Sequence, residues 1–116
     1  MVAVTLYHNP RCSKSRAARE LLEARRIDLD IVEYLVTPPD AATLRDLARR
    51  MGVGARNLLR TGEPEYRELG LDDQSLTDDA LLDAIAAHPR LLERPIAVHG
   101  ERAVIGRPPE RVLELL

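Results

Sequence analysis

The sequence predicts an α/β domain. Three observations carry that prediction: a short β-branched run ending at a proline loop, an amphipathic stripe directly after it, and two short apolar runs near the C-terminus. The run Val2–Tyr7 stops at His8-Asn9-Pro10 and reads as a buried strand followed by a loop. From Ser13 to Arg26 the residues Ala17, Ala18, Leu21, Leu22 and Ala24 recur at helical spacing among charges, which predicts a helix with one apolar face. Leu29–Leu35 returns to strand character before Thr37-Pro38-Pro39, so the opening is β-α-β with parallel strands. Asp40 caps a helix whose stripe Leu44, Leu47, Ala48 and Met51 ends at Gly52. Short helical pieces follow over 55–60 and 63–69, and Thr77 caps a further helix in which Leu81, Leu82 and Ile85 face inward before Pro89. Residues 40–92 thus form a helical insert within one domain spanning 1–116, not an independent unit. Ile96–His99 and Ala103–Ile105, joined by Gly100-Glu101, read as two strands, and a last helix is expected over 109–116. The order is βαβ, helical insert, ββα.

Composition narrows the function. The chain has 116 residues, 45% hydrophobic and 31% charged, which suits one folded domain. It has no Phe or Trp and three Tyr, so no aromatic platform is available for stacking bases, and a net charge of -2 offers no field for a polyanion. Nucleic acid is therefore not an expected partner. No apolar run approaches the ~18–20 residues of a membrane span, and the apolar start lacks the basic flank and cleavage site of a leader, so a cytoplasmic location and no membrane partner are expected. A monomer is the default. The single cysteine, Cys12, excludes an internal disulfide and a CxxC pair, and three scattered histidines with one cysteine make no metal pattern. His88 reads as structural and His99 as solvent-facing.

Cys12 falls where a strand end meets a helix N-terminus, the place where open α/β sheets put ligands. The helix dipole and the orphan N–H groups of Ser13, Lys14 and Ser15 favour a thiolate there, and Lys14 and Arg16 add positive charge. A thiolate is the attacking form of the side chain. The same N–H groups make a nest for a small tetrahedral oxyanion, with the Ser15 hydroxyl as a further donor. Polar flanks argue against Cys12 as a plain buried hydrophobe. A phosphatase-type loop, Cys followed by five residues and Arg, would need Arg at the position Ala18 holds, and a dithiol mechanism would need Cys where Ser15 stands.

The segment His8-Asn9-Pro10-Arg11-Cys12-Ser13-Lys14-Ser15-Arg16 resembles the active-site segment of the glutaredoxin-linked arsenate reductases of bacteria. Thr37-Pro38-Pro39, Leu58-Leu59-Arg60, the stretch 66–71, Thr77-Asp78-Asp79, His88-Pro89, Arg94-Pro95-Ile96 and Gly106-Arg107-Pro108 resemble further blocks of that family in the same order. The resemblance implies a thioredoxin/glutaredoxin-like fold with a helical insert. It also implies Cys12 as nucleophile, Arg60, Arg94 and Arg107 as oxyanion-binding groups, His8 as a group that helps hold the thiolate, and a cis Pro95 facing the nucleophile. Arsenate would be reduced to arsenite through a Cys12 thiol-arsenate adduct, with glutathione as co-substrate and glutaredoxin as resolving partner. No bound cofactor or metal is implied.

Ser13-Lys14-Ser15 departs from the small residues that follow the nucleophile in some members, which keeps two other readings open. One is a glutathione-dependent thiol reductase acting on a different substrate. The other is a regulator like the Spx proteins, which share this fold and bind RNA polymerase but sense oxidation through a CxxC pair; here Ser15 removes that pair.

Overall fold

The computed structural model describes residues 3–116. Strands β1 (Val4–His8), β2 (Leu29–Glu33), β3 (Ile96–His99) and β4 (Arg102–Ile105) form one sheet in the order β2-β1-β3-β4. β1 pairs parallel with β2, with Val4 opposite Leu29 and Leu6 opposite Ile31, and antiparallel with β3, with Leu6 opposite Ala97. β3 and β4 form the expected hairpin, Ala97 facing Val104. The βαβ…ββα order of a thioredoxin-like α/β fold is present. Helices α1 (Ser13–Ala24), α2 (Ala41–Met51), α3 (Pro64–Glu68) and α4 (Asp78–Ala87) are accompanied by 3₁₀ segments at Ala55–Leu58, Pro89–Leu91 and Pro109–Leu115.

The described chain gathers into two compact units: residues up to Thr37 together with Arg94–Leu116, and Pro38–Glu93. In the first, the period-2 alternation of β1 turns Val4 and Leu6 onto one face of the sheet, where they meet Ala97 and Val104. Ala18 and Leu22 of α1, four residues apart and hence on one stripe, cover this face together with Val112 and Leu115 of the C-terminal segment. His8 continues the Val4, Leu6 series and Ser15 continues the Ala18, Leu22 stripe, so the polar end of this core is a His–Ser pair at the C-terminal end of β1.

In the second unit Leu44, Leu47 and Ala48 of α2 and Leu81, Leu82 and Ile85 of α4 are buried. Asp40 accepts the Thr43 N–H at 2.8 Å and Thr77 the Ala80 N–H at 3.2 Å, and Gly52 ends α2 in the left-handed region at φ 71°, as the caps read from sequence require. Within this unit Leu59 pairs with Leu92 in an isolated antiparallel bridge.

Several boundaries differ from expectation, each for a local reason. The first strand was expected over 2–7; Val2 lies outside the described residues, and the strand includes His8 because its pairing with Glu33 continues the parallel ladder. Helix α1 stops at Ala24 because Arg26 takes φ 56°, with Arg26 N–H bonded to Glu23 O and Ile27 N–H to Leu22 O. This is a Schellman close, but with Arg where glycine usually signals it. β2 ends at Glu33, two residues short, because the N–H groups of Val36 and Thr37 turn back onto Glu33 O. The insert's short pieces shrink to 55–58 and 64–68, and the closing segment is 3₁₀ rather than a regular helix.

Candidate active site

The loop after β1 builds the site by short-range bonds. Asn9 Oδ1 accepts the Arg11 N–H at 3.0 Å, an Asx turn, and Asn9 O accepts the Cys12 N–H at 3.0 Å. Cys12 is then the N-cap residue of α1, extended at φ -92° and ψ 123°, and its carbonyl takes the first helical bond from Arg16 N–H at 3.0 Å. The Arg16 guanidinium donates to Pro10 O at 3.0 Å and braces the loop from outside. The Cys12 side chain makes no capping hydrogen bond, so the N–H groups of the first turn are left as donors, and no acidic residue stands in that turn. Ser13, Lys14 and Arg16 are exposed around a partly exposed thiol.

A cation from far along the chain reaches the thiol: Arg107 Nη2 lies 4.0 Å from Cys12 Sγ. Arg107 Nε donates to Arg94 O at 2.8 Å, which fixes the plane of the guanidinium and turns its outer nitrogens toward sulfur. The preceding residue binds the same Arg94-Pro95 segment, with Gly106 N–H donating to Pro95 O at 2.8 Å. The Arg94-Pro95 peptide is cis, as the resemblance implies, and so is Arg107-Pro108, which nothing in the sequence indicated. Pro95 is buried, and Nε and Nη1 of the half-buried Arg94 are withdrawn from solvent.

The Ser15 hydroxyl points elsewhere than the sequence reading expected, and its partner is His8. Ser15 is wholly buried; its hydroxyl accepts the Asn9 N–H at 3.0 Å and lies 2.7 Å from His8 Nδ1. The hydroxyl expected as an anion donor is turned inward, because residue 15 falls on the apolar stripe of α1. An arrangement that uses every donor has Ser15 O–H donating to Nδ1 with the imidazole proton on Nε2. Burial of His8 lowers its pKa below the ordinary 6.5, and Arg19 and Arg16 push the same way against Glu33 and Glu23. His8 is therefore neutral at neutral pH. The structure brings His8 to Ser15 and Arg107 to Cys12.

This sets a direction for stability against pH. Between the lowered native value and 6.5 the unfolded chain binds more protons at His8 than the native one, so stability rises with pH across that window and levels above it. Chemical denaturation from about pH 5 to about pH 8 should show this slope, and His8→Gln should flatten it. A slope unchanged in the variant would assign it to other groups.

Arg60 belongs to the second unit. Its backbone N–H donates to Leu91 O at 2.7 Å, its Nη1 pairs with Glu63 Oε1 at 2.5 Å, and its Nε stands 3.7 Å from Glu93 Oε1. Glu63, only 13% exposed, also receives Arg90 at 3.1 Å. Sequence reading missed these carboxylate partners, Glu63 lying across a turn where no helical spacing signals it. It also missed Asn9, whose position before a proline marks an Asx turn, and Gly106, a glycine at a strand end that marks close backbone approach. His99, expected to face solvent, donates from Nδ1 to Leu115 O at 2.9 Å and ties down the C-terminal segment. Among the described residues no group of three or more His, Cys, Asp and Glu gathers as metal ligands, and no helix is long and apolar enough to cross a membrane.

A thioredoxin-like sheet whose single cysteine caps the helix after β1, with an arginine from beyond β4 at its sulfur, defines a protein built around one isolated thiol. Comparison with known proteins gives that class a family. The ArsC family model matches residues 7–115, and the chain belongs to the ArsC family. It is 50% identical over 117 residues to "Arsenate reductase" of Neisseria meningitidis serogroup A, covering all of both chains. It is 52% identical over 114 residues to "Uncharacterized protein YfgD" of Escherichia coli K12, covering 97% of this chain and 96% of that one. Among solved structures, "Arsenate reductase from Vibrio cholerae" superposes with a TM-score of 0.96 at 46% identity, covering 99% of this chain and 98% of that one.

Proposed function

We propose that this protein is an arsenate reductase that forms a thiol-arsenate adduct at Cys12 and draws its electrons from glutathione, with glutaredoxin as the resolving partner. The observation that carries the proposal is the Arg107 guanidinium 4.0 Å from Cys12 Sγ, at the N-terminus of α1. It puts a fixed positive charge and a set of helix N–H donors beside one nucleophile, which suits a small oxyanion attacked at its centre. The full-length likeness to proteins named arsenate reductase supports the choice of oxyanion.

In this mechanism Cys12 thiolate attacks arsenic(V) and one arsenate oxygen leaves as water after protonation, giving a Cys12 S–As(V) ester. Arg107, with the N–H groups of Ser13 and Lys14, holds the negative charge that builds on the remaining oxygens. Arg94, its head group partly withdrawn from water, adds to the positive field, and Arg60 enters on the resemblance alone. A glutathione thiolate then attacks Cys12 sulfur, the S–As bonding pair stays on arsenic as arsenite, and a Cys12–glutathione disulfide remains. Two sulfurs lose the two electrons that arsenic gains. The chain has one cysteine, so the thiol that releases Cys12 comes from another molecule, the role given to glutaredoxin. His8 and Ser15 hold the loop that carries Cys12, and neither contacts the oxyanion in this reading. The chemistry belongs in a compartment where glutathione is kept reduced, the cytoplasm.

Arg11 and Lys14 are both exposed on either side of Cys12, and among the described residues no carboxylate pairs with either side chain. They suit the two carboxylates of glutathione. Reversing both charges, Arg11→Glu with Lys14→Glu, should raise KM for glutathione ~3- to 10-fold at low salt and less at high salt, the scale of exposed charge pairs. An unchanged KM removes these two cations from reductant binding.

The direct test is arsenite formation from arsenate with glutathione and glutaredoxin present, each omitted in turn. Turnover that requires all three supports the assignment. If the complete mixture makes no arsenite but the protein reduces a glutathione mixed disulfide, arsenate is not its substrate and the thiol-reductase reading replaces it.

A further inference from the structure

Gly106 lies between β4 and Arg107, and space rather than backbone freedom explains it. A Cβ built on Gly106 would stand 2.8 Å from Pro95 Cγ and 3.0 Å from Val112 Cγ1. Neither contact is relieved cheaply, because Pro95 is a ring fixed in the chain and buried, and Val112 is a fully buried β-branched side chain of the core. Without a side chain, the end of β4 settles on the Arg94-Pro95 segment at two points: Gly106 N–H on Pro95 O and Arg107 Nε on Arg94 O, both at 2.8 Å. The second bond aims Nη2 at Cys12 Sγ.

We infer that Gly106 is a positioning residue for the thiol chemistry: the absent Cβ sets the depth at which Arg107 seats against Arg94, and with it the placement of the guanidinium on Cys12. The inference rests on the reading of Arg107 as the cation that serves Cys12. A methyl group at 106 lifts the β4 end off Pro95. Arg107 Nε then loses its grip on Arg94 O, and a long flexible side chain no longer holds its charge at sulfur. Val112 sits on the other wall, so truncating it gives the displaced segment room.

The test needs no arsenate. Cys12, the only thiol, is alkylated with iodoacetate and with iodoacetamide, and the ratio of the two rates is compared with that of the urea-unfolded chain. Iodoacetate is an anion and iodoacetamide is neutral, so the ratio reads the positive charge at sulfur, whereas general loosening accelerates both reagents. Arg107→Ala sets the floor. The expected result for Gly106→Ala is a ratio lowered at least ~3-fold toward that floor, with cooperative unfolding retained; this fold-change corresponds to an interaction of roughly the size of one partly exposed charge contact. A wild-type ratio in Gly106→Ala overturns the inference. If Gly106→Ala does not fold, Gly106→Ala with Val112→Ala is measured by the same criterion, and failure of both to fold makes Gly106 a packing requirement only, which also overturns it. The ratio and arsenite formation are separate readouts, so a wild type that makes no arsenite leaves the result on Gly106 legible.

Discussion

Cys12→Ser lowers arsenite formation by ~10³-fold or more, the scale on which removal of a covalent nucleophile acts. The loss has two sources. A serine hydroxyl does not ionise near neutral pH, so the attack on arsenic slows. In the proposed mechanism an oxygen ester of arsenate, if it formed, would offer no sulfur for glutathione to attack, so the two-electron transfer would have no route. The substitution leaves the fold intact and can strengthen it. Cys12 holds the N-cap position of α1 without a side-chain capping bond, and serine is among the preferred residues there, able to accept from the first-turn N–H groups. Thermal melts of Cys12→Ser should therefore match or exceed wild type while arsenite, measured in the same preparation, falls to background. Residual turnover above about 1% of wild type would remove Cys12 from the nucleophile's role.

Arg107→Ala lowers kcat/KM for arsenate by ~10²- to 10³-fold, the cost of removing one preorganised donor to a developing oxyanion. Arg107→Lys recovers little of this. In the native structure one guanidinium does two things at once, with Nε on Arg94 O and Nη2 beside Cys12 Sγ. A lysine ammonium is a single point at the end of a flexible stem and reaches one of these places or the other. Steady-state kinetics of both variants, with the iodoacetate rate at Cys12 as a second readout, check this. A lysine variant within about 3-fold of wild type would show that charge alone suffices at this position and would discard the argument from shape.

How much of this could be read from the chain alone follows the range of each interaction. The strand-to-helix turn at Cys12, the Asp40 and Thr77 caps and the left-handed Gly52 are set by residues within a few positions of one another, and the structure contains each of them. Arg26 shows the limit even for local signals. It closes α1 in a conformation that glycine would have announced, and the helix was read two residues too long. Ser15 was legible in position and not in direction: its place three residues after Cys12 suggested a donor to an anion, whereas its place on the stripe with Ala18 and Leu22 turns it inward to His8. The same periodicity held both messages, and burial chose between them.

By itself the sequence determined the α/β order, the insert of residues 40–92, and a lone thiol at a helix start among Arg11, Lys14 and Arg16, because periodicity, caps and composition act locally. Only the tertiary structure decided which arginine reaches that thiol. Cys12 and Arg107 are 95 positions apart, and their meeting depends on β3 lying beside β1, on β4 pairing with β3, and on the missing Cβ of Gly106 that lets the strand end rest against Pro95. The carboxylates around Arg60 and the burial that lowers the His8 pKa belong to the same category. Each follows from which groups share a buried space, and chain positions do not encode that until the sheet has brought them together.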